Sequence, residues 1–240
     1  MCYLELNGMK KFKNIISLGH FCSPAMEFER LGCRKCSFPF DWLITPNLNS
    51  VIDLIENHFA DFLNEEYMYQ LKQFPSYYRN IKVNVDFYHD FSPLKSFDSQ
   101  ILDTSNKYKR RIERFYNQIK SPTLFCRYIT KEDYENITET HNRLLTIIKD
   151  YNQENDIVYI ANSDVGERID NIKIYYVNKD PNDGVSRVFL DKLPDLKEYI
   201  LDVVELCEDK RPKKKTSILT KLYKKMRLKF NLVYKHSKQI

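Results

Sequence analysis

Glycine is scarce in this chain, and the sequence contains no long hydrophobic run. Only 5 of the 240 residues are glycine, and neither of the phosphate-binding patterns GxGxxG and GxxxxGK[ST] occurs. No stretch approaches the roughly 18 consecutive apolar residues that a membrane-spanning helix needs. The first 13 residues also lack the apolar core of a signal peptide. We therefore expect a cytoplasmic protein that does not bind nucleotides through a glycine-rich loop.

The six cysteines form neither a recognisable metal site nor a disulfide framework. Cysteines of a cytoplasmic protein are mostly free thiols. Cys33 and Cys36 make a single CxxC pair, and no second CxxC or CxxH follows it. Because a structural zinc ion needs four ligands, we predict no metal and no cofactor, and we interpret this pair as packing residues.

The net charge of +5 combines two regions of opposite sign. Residues 210–240 hold twelve Lys or Arg and no Asp or Glu, which leaves 26 basic and 33 acidic residues in 1–209. The basic tail is predicted to form an amphipathic helix, which can lie on an anionic membrane surface such as the inner face of the cell membrane. The alternatives for the tail are disorder and nonspecific binding of polyanions. The acidic body carries no nucleic-acid-binding motif, so nucleic acid is not an expected partner.

Residues 1–209 are predicted to form one α/β domain. Predicted strands are separated by helical patterns of 15–20 residues, which favours a mostly parallel central sheet flanked by helices on both faces. The predicted strands are 14–18, 82–89, 123–127, 156–161, 172–177 and 186–190. The predicted helices are 24–31, one ending at 56, 98–120, 131–151 and 193–207. Residues 37–42 are predicted to be extended, and 77–89 could instead pair locally as a hairpin.

Cys22 has the clearest chemical potential in the sequence. It lies between a predicted strand and a predicted helix, with Ser23 as the expected N-cap and Pro24 in the first helical position. Unpaired amide N–H groups and the helix dipole lower the pKa of a thiol at such a turn and favour the thiolate. The pattern predicts a nucleophile at Cys22, and the alternative is a small residue that fills the turn.

A cysteine nucleophile needs a base within hydrogen-bonding distance. His89 ends a predicted strand, where α/β folds gather functional groups, and it is the best candidate base. The alternative is a surface histidine at a strand end. His20 lies two residues before Cys22 and could either favour the thiolate or simply fill the turn.

Further polar residues lie at predicted turns and strand ends. Asp41 stands between aromatic residues and should pair with a cation or a histidine, or cap backbone N–H groups, because an unpaired buried carboxylate is costly. Trp42 is expected to anchor the core. Arg127 could bind a phosphate or carboxylate in a cleft, or pair with Asp41 or Asp90. Asp164 could orient a histidine or cap the next segment.

Taken together, these segments resemble a bacterial family of papain-like cysteine peptidases whose functions are largely unassigned. The more specific matches are Ser17-Leu18-Gly19, Cys22, Ser37 and Pro39-Phe40-Asp41-Trp42. The less distinctive matches are His89-Asp90-Phe91, Lys109-Arg110-Arg111-Ile112 and Leu124-Phe125-Cys126-Arg127. The resemblance extends over roughly residues 14–130.

The resemblance implies a catalytic pair of Cys22 and His89. It assigns no third catalytic residue, so Asp41, Asp90 and Asp164 stay as alternatives. It also implies a papain-like α+β fold as the alternative to the parallel sheet. Members of the family are similar to proteins of surface-polysaccharide gene clusters, which suits a basic tail that contacts the membrane.

Three functions are compatible with the sequence. The first is a thiol-dependent peptidase, hydrolase or acyl transferase with Cys22, His89 and either Asp41 or Asp164 as catalytic residues. The expected substrate-binding residues are His20, Trp42, Asp90 and Arg127. The second is a membrane-surface glycan enzyme that holds a phosphate-linked sugar, with Arg127 on the phosphate. The third is a non-enzymatic scaffold docked on the membrane. The sequence predicts a small-molecule, peptide or glycan partner without naming it.

Overall fold

The computed structural model describes residues 12–182 and 184–207. The strands are β1 (Asn14–Ser17), β2 (Leu43–Ile44), β3 (Met68–Gln70), β4 (Tyr78–Asn80), β5 (Val85–Phe87), β6 (Thr123–Ile129), β7 (Asp156–Asn162) and β8 (Ile174–Val177). The α-helices are α1 (Ser23–Leu31), α2 (Leu48–Glu56), α3 (Asp98–Gln118), α4 (Lys131–Glu135), α5 (Ile137–Tyr151) and α6 (Pro194–Val203). Short 3₁₀ turns are formed by Pro39–Trp42, Glu65–Tyr67 and Phe189–Asp191. The predicted helix in the basic tail lies outside the described residues.

The main sheet has four parallel strands in the order β1-β6-β7-β8. The prediction of an α/β fold with a mostly parallel central sheet is therefore confirmed. A second, antiparallel sheet has the order β2-β5-β4-β3. Within it β4 and β5 pair as the local hairpin that the sequence offered as an alternative for 77–89. Parallel strands end on the same side, so the residues after β1, β6 and β7 meet at one edge of the main sheet.

Two hydrophobic cores cover the two faces of the main sheet. Along β6, Phe125 and Ile129 contribute to one core, which also holds apolar residues of α2, α3 and α5. Leu124, Cys126 and Tyr128 contribute to the other core, together with residues of α1 and α6. Because both faces of β6 are covered, its sequence is continuously apolar apart from a few residues rather than alternating.

Two segments differ from their predicted secondary structure. In each of them a side-chain carboxylate accepts a backbone N–H group that a neighbouring strand would otherwise bind. Pro39–Trp42 is a 3₁₀ turn, where an extended strand was expected, since the carboxylate of Asp41 accepts the Phe38 N–H at 2.8 Å and closes the turn. The expected strand over 186–190 is also wrong. Phe189–Asp191 forms a 3₁₀ turn, and the Leu190 N–H donates to Glu27 of α1 at 3.1 Å rather than to the free edge of β8.

The predicted helix over 131–151 is interrupted at Asn136, which separates α4 from α5. Thr130 caps α4 by accepting the Asp133 N–H at 3.1 Å, and Asp133 turns its carboxylate back toward the Thr130 N–H. Asn136 then leaves helical geometry, with φ −116° and ψ 14°. The short α4 thus serves to place Asp133 under the edge of the main sheet.

The central polar contact of the fold is a buried ion pair between Arg127 of β6 and Asp133. Arg127 is fully buried, and its Nη2 lies 3.1 Å from Asp133 Oδ2. Its Nη1 donates to the carbonyl of Leu18 and to the Thr45 hydroxyl, and Nη2 also donates to the Thr45 carbonyl. The expectation that Arg127 faces a cleft and binds a substrate phosphate or carboxylate is therefore wrong. Its partner is Asp133, and neither Asp41 nor Asp90.

Replacing Asp133 by Ala should destabilise the protein by about 3–5 kcal/mol, because the guanidinium of Arg127 would remain buried without its counter-charge. The free energy of unfolding in urea measures the effect. Asp53→Ala is the matched control, since Asp53 forms an exposed ion pair with Arg143 and should cost no more than about 1 kcal/mol. Equal costs for the two variants would contradict a central role for the buried pair.

Candidate active site

The turn that follows β1 has a left-handed backbone at two consecutive residues. Gly19 and His20 have φ values of 80° and 62°. A Cβ atom on Gly19 would lie 2.7 Å from the Thr45 hydroxyl, so the glycine is required by space as well as by its φ. Thr45 holds the turn from the other side, because its hydroxyl accepts the His20 N–H at 3.0 Å and its own N–H donates to the His20 carbonyl at 3.1 Å.

Cys22 occupies the N-cap position of α1, one residue before the cap that the sequence predicted. Its side chain makes no capping hydrogen bond, and the residue is only 9% exposed. Burial raises the pKa of the Cys22 thiol, against the opposing effects of the Arg187 charge and of its own backbone N–H. The expectation of a lowered thiol pKa is therefore wrong. The enclosure of the sulfur outweighs the helix start, where Pro24 also offers no N–H.

Arg187 supplies positive charge at Cys22. Its guanidinium lies over the ring of Phe21, 5.6 Å from the centroid. Burial raises the pKa of both Cys22 and Tyr88, and the charge of Arg187 opposes that shift. The loop that carries Arg187 is fixed to the main sheet because the Ser186 N–H donates to the Tyr128 hydroxyl at 3.2 Å. No local sequence pattern marks Arg187, and only the fold brings this loop to the start of α1.

His89 lies beside this group without a direct bond to the thiol. Its ring meets Tyr88 edge-on at 4.7 Å and Trp42 edge-on at 6.3 Å between centroids. Desolvation by these neighbours lowers the pKa of His89, and Asp90 opposes that effect. Tyr88 in turn is close enough to Cys22 for the thiolate charge to raise its pKa. Among the described residues, no hydrogen bond joins Cys22 to His89, and Tyr88 connects the two positions.

His20 is the second imidazole near Cys22. Its ring stacks on Tyr128, with centroids 6.4 Å apart and planes 26° apart. Burial, reinforced by the charge of Arg127, lowers the pKa of His20 to about 4, so the ring is neutral at pH 7. His20 also lines a cavity of about 220 Å³ at the carboxyl edge of the main sheet, into which Asp164 reaches from the end of β7.

The three candidate carboxylates bind partners other than histidine. Asp41 pairs with Arg34 at 2.7 Å, and burial raises its pKa while Arg34 opposes the shift. The sequence predicted that Asp41 either pairs with a charged side chain or caps backbone N–H groups. It does both, because it pairs with Arg34 and accepts the Phe38 N–H. Asp90 accepts from Lys107 and from the Tyr108 hydroxyl.

Asp164 is exposed and accepts from Lys179, whose hydrogen bond lowers its pKa. Within the described ranges, Asp41, Asp90 and Asp164 accept no hydrogen bond from an imidazole. Among these residues His89 therefore has no hydrogen-bonded carboxylate to orient it. Trp42, expected as a core anchor, is half-buried, and the Arg34 guanidinium lies 5.5 Å from the centre of its ring.

The CxxC pair is divided between the two cores. Cys33 is buried in the core with α1 and α6, and Cys36 packs against the other core. In the part of the chain that the structure describes, no group of three or more His, Cys, Asp or Glu side chains is placed to hold a metal ion. Likewise no helix within residues 12–182 and 184–207 has the length and apolar character to cross a membrane.

Comparison with known proteins identifies the family of this chain. Residues 13–161, which include Cys22 and His89, match the model of the family described as "Putative papain-like cysteine peptidase (DUF1796)". The chain belongs to this family. Arg187 lies beyond the matched region, so the family model does not account for it.

Two further comparisons, with curated proteins and with solved structures, do not assign a function to the chain. Over 128 residues the chain is 35% identical to the uncharacterized protein R408 of Acanthamoeba polyphaga mimivirus, an alignment that covers 44% of this chain and 56% of that protein. The chain thus spans about half the length of the relative that it matches. No solved structure matches the chain significantly.

The raised thiol pKa predicts that alkylation of Cys22 accelerates with pH well into the alkaline range. The rate of iodoacetamide labelling, followed by mass spectrometry between about pH 6 and 10, measures it. Arg187→Gln should slow labelling at each pH because the positive charge is lost, and Arg187→Lys should restore most of the rate. A rate that levels off below neutral pH would contradict a protonated thiol.

The low pKa of His20 predicts a loss of stability in mild acid. The unfolded imidazole, with a pKa of 6.5, binds a proton that the folded ring accepts only near pH 4. Stability should therefore fall as the pH drops from about 6.5 to about 4, by up to about 3 kcal/mol from this group. His20→Asn, a residue that tolerates the left-handed backbone, should flatten the curve of unfolding free energy against pH. Parallel curves for the two proteins would contradict the prediction.

Proposed function

We propose that the protein is a cysteine-dependent hydrolase or acyl transferase with Cys22 as its nucleophile. The observation that carries the proposal is the position of the thiol, which lies at the first turn of α1, at the carboxyl edge of a parallel sheet, under the charge of Arg187. Family membership supports the general class. Peptides, esters and thioesters are all acyl donors that such a thiol can attack.

His89 is proposed as the group that exchanges the proton. A thiol with a raised pKa must lose its proton during attack rather than before it, so it needs a neutral base nearby. His89 has a lowered pKa, which keeps the imidazole neutral, and its ring contacts that of Tyr88, whose pKa responds to the charge of Cys22. Movement of the His89 ring toward Cys22 upon substrate binding would complete the pair.

The proposed reaction has two steps. The sulfur of Cys22 attacks the acyl carbon, its proton passes to the His89 imidazole, and the leaving group departs with that proton. The Ser23 N–H, at the first residue of α1, and the Arg187 guanidinium would stabilise the negative oxygen of the intermediate. Water or another acceptor then attacks the thioester, gives up its proton to His89 and regenerates the thiol.

The second function predicted from the sequence was a glycan enzyme in which Arg127 binds the phosphate of a sugar phosphate. Arg127 cannot make this contact, because it is buried and paired with Asp133. The scaffold alternative depends on membrane contact by 210–240, which lies outside the described residues. Neither the phosphate contact nor the membrane contact that these alternatives require is observed within the described residues. The thiol-dependent reaction is therefore the better-supported function.

Reaction with p-nitrophenyl acetate tests the proposal without knowledge of the natural substrate. We expect a burst of p-nitrophenolate and an acetyl adduct on Cys22, identified by mass spectrometry after acid quenching. Cys22→Ala should abolish the adduct, and His89→Asn should slow its formation by about 10²–10⁴-fold. Cys36→Ala is the matched control and should react normally. Acetylation of several cysteines at similar rates, or an unchanged burst in Cys22→Ala, would refute the function.

A further inference from the structure

A cavity at the carboxyl edge of the main sheet has polar walls and no assigned occupant. We call it the edge cavity. It has a volume of about 220 Å³, and the residues around it are His20, Tyr128, Ile129, Thr130, Lys131, Asn162, Asp164, Val165 and Val185. Crevices at the carboxyl ends of parallel strands are common ligand sites in α/β folds.

His20 presents one ring nitrogen to the edge cavity. Its Nδ1 is enclosed by protein and makes no hydrogen bond among the described residues, so Nε2 is the ring nitrogen left facing the cavity. The neutral ring carries one N–H and one bare nitrogen, so Nε2 can form one hydrogen bond with a hydroxyl group, as donor or as acceptor.

Two walls of the edge cavity are held rigid by their own hydrogen bonds. The Tyr128 hydroxyl donates to Asn162 Oδ1, and Asn162 Nδ2 donates to the Gly184 carbonyl at 2.9 Å. These groups are therefore occupied and shape the cavity, while the tyrosine ring and the valines supply apolar surface. A rigid wall with an aromatic face and a few convergent polar groups is typical of small-molecule sites.

Several polar groups of the wall remain available to a ligand. Lys179 occupies Oδ2 of Asp164, and no other bond to the Asp164 carboxylate is made by a side chain in the described ranges. The Thr130 hydroxyl accepts the Asp133 N–H and keeps its own proton to donate. Together with Nε2 of His20, these groups match a ligand whose groups both donate and accept, as hydroxyl groups do.

The charged residues in and near the edge cavity restrict the net charge of its ligand. A cationic ligand would meet the positive potential of Arg127 and Arg187, the same potential that acts on the His20 ring. An anionic ligand would find Lys131 in the wall, but it would also meet the Asp164 carboxylate. A neutral ligand avoids both conflicts.

We propose that the edge cavity binds a neutral polyhydroxylated group, of the polyol or monosaccharide class, whose hydroxyls contact His20 Nε2 and the Asp164 carboxylate. This inference concerns binding and does not rest on the chemistry proposed for Cys22. The residues that form the far wall follow Ala161, so they lie beyond the part of the chain that matches the family model.

Binding of a charge-matched panel of sugars to the full-length chain tests the inference. Saturation-transfer NMR and calorimetry at pH 7 would compare neutral hexoses with the amine and acid that correspond to each one, such as glucose with glucosamine and glucuronate. We expect at least one neutral sugar to bind and its two charged counterparts to bind about tenfold more weakly or not at all.

Two variants locate the binding. Asp164→Asn changes an exposed carboxylate and should weaken the neutral sugar by about tenfold, and His20→Asn should do the same through loss of Nε2. Asp103→Asn, an exposed position on α3, is the matched control and should bind normally. The inference is overturned if no neutral sugar binds at tens of millimolar, if a charged counterpart binds more tightly, or if neither variant changes the affinity.

Cys22→Ala separates this inference from the proposed function. We expect the variant to bind the same sugar with unchanged affinity, because the edge cavity does not include Cys22. If the unmutated protein forms no acetyl adduct on Cys22 but still binds the sugar, the thiol chemistry alone is refuted. Loss of sugar binding in Cys22→Ala, with the fold intact by circular dichroism, would instead refute a separate edge cavity.

Discussion

The fold depends on a guanidinium that has been removed from water. Desolvation of a charged group costs several kcal/mol, and a counter-charge with further hydrogen bonds offsets that cost. The two terminal nitrogens of Arg127 obtain these partners from three parts of the chain, which are the turn after β1, the residue after β2 and the start of α4. Asp133 extends the network to the Leu48 N–H at the start of α2. The two sheets are thus tied together at the level of the candidate site.

The same network sets the geometry around Cys22. Thr45 accepts hydrogen bonds from the Arg127 guanidinium and from the backbone N–H of His20. It therefore links the left-handed turn to the buried ion pair. Gly19 makes the close approach to Thr45 possible. The motif Ser-Leu-Gly-x-x-Cys is therefore explained by the space and backbone conformation of this turn, as well as by any reaction of its cysteine.

Local patterns predicted the elements of the fold better than the chemistry of the site. The apolar runs of β1, β6 and β7 and the amphipathic stretches of α3 and α5 depend on nearby residues, and the sequence located them within a few positions. Arg127 resembled a cleft residue because it ends the predicted strand 123–127, but β6 continues to Ile129. Its guanidinium is enclosed by Leu18, Thr45 and Asp133. Arg187 carries no local signal, since a loop distant in sequence delivers it. The pKa of Cys22 depends on enclosure by distant segments, which a helix start alone does not reveal.

The enclosure of Cys22 has a consequence for the chemical durability of the protein. Peroxides and similar oxidants react with the thiolate far faster than with the thiol, and exposed low-pKa cysteines are the first to reach the sulfenic acid. A buried sulfur that keeps its proton is a poor target for such damage. The proposed nucleophile would therefore survive oxidative conditions in its resting state and become vulnerable only while a bound substrate draws its proton away.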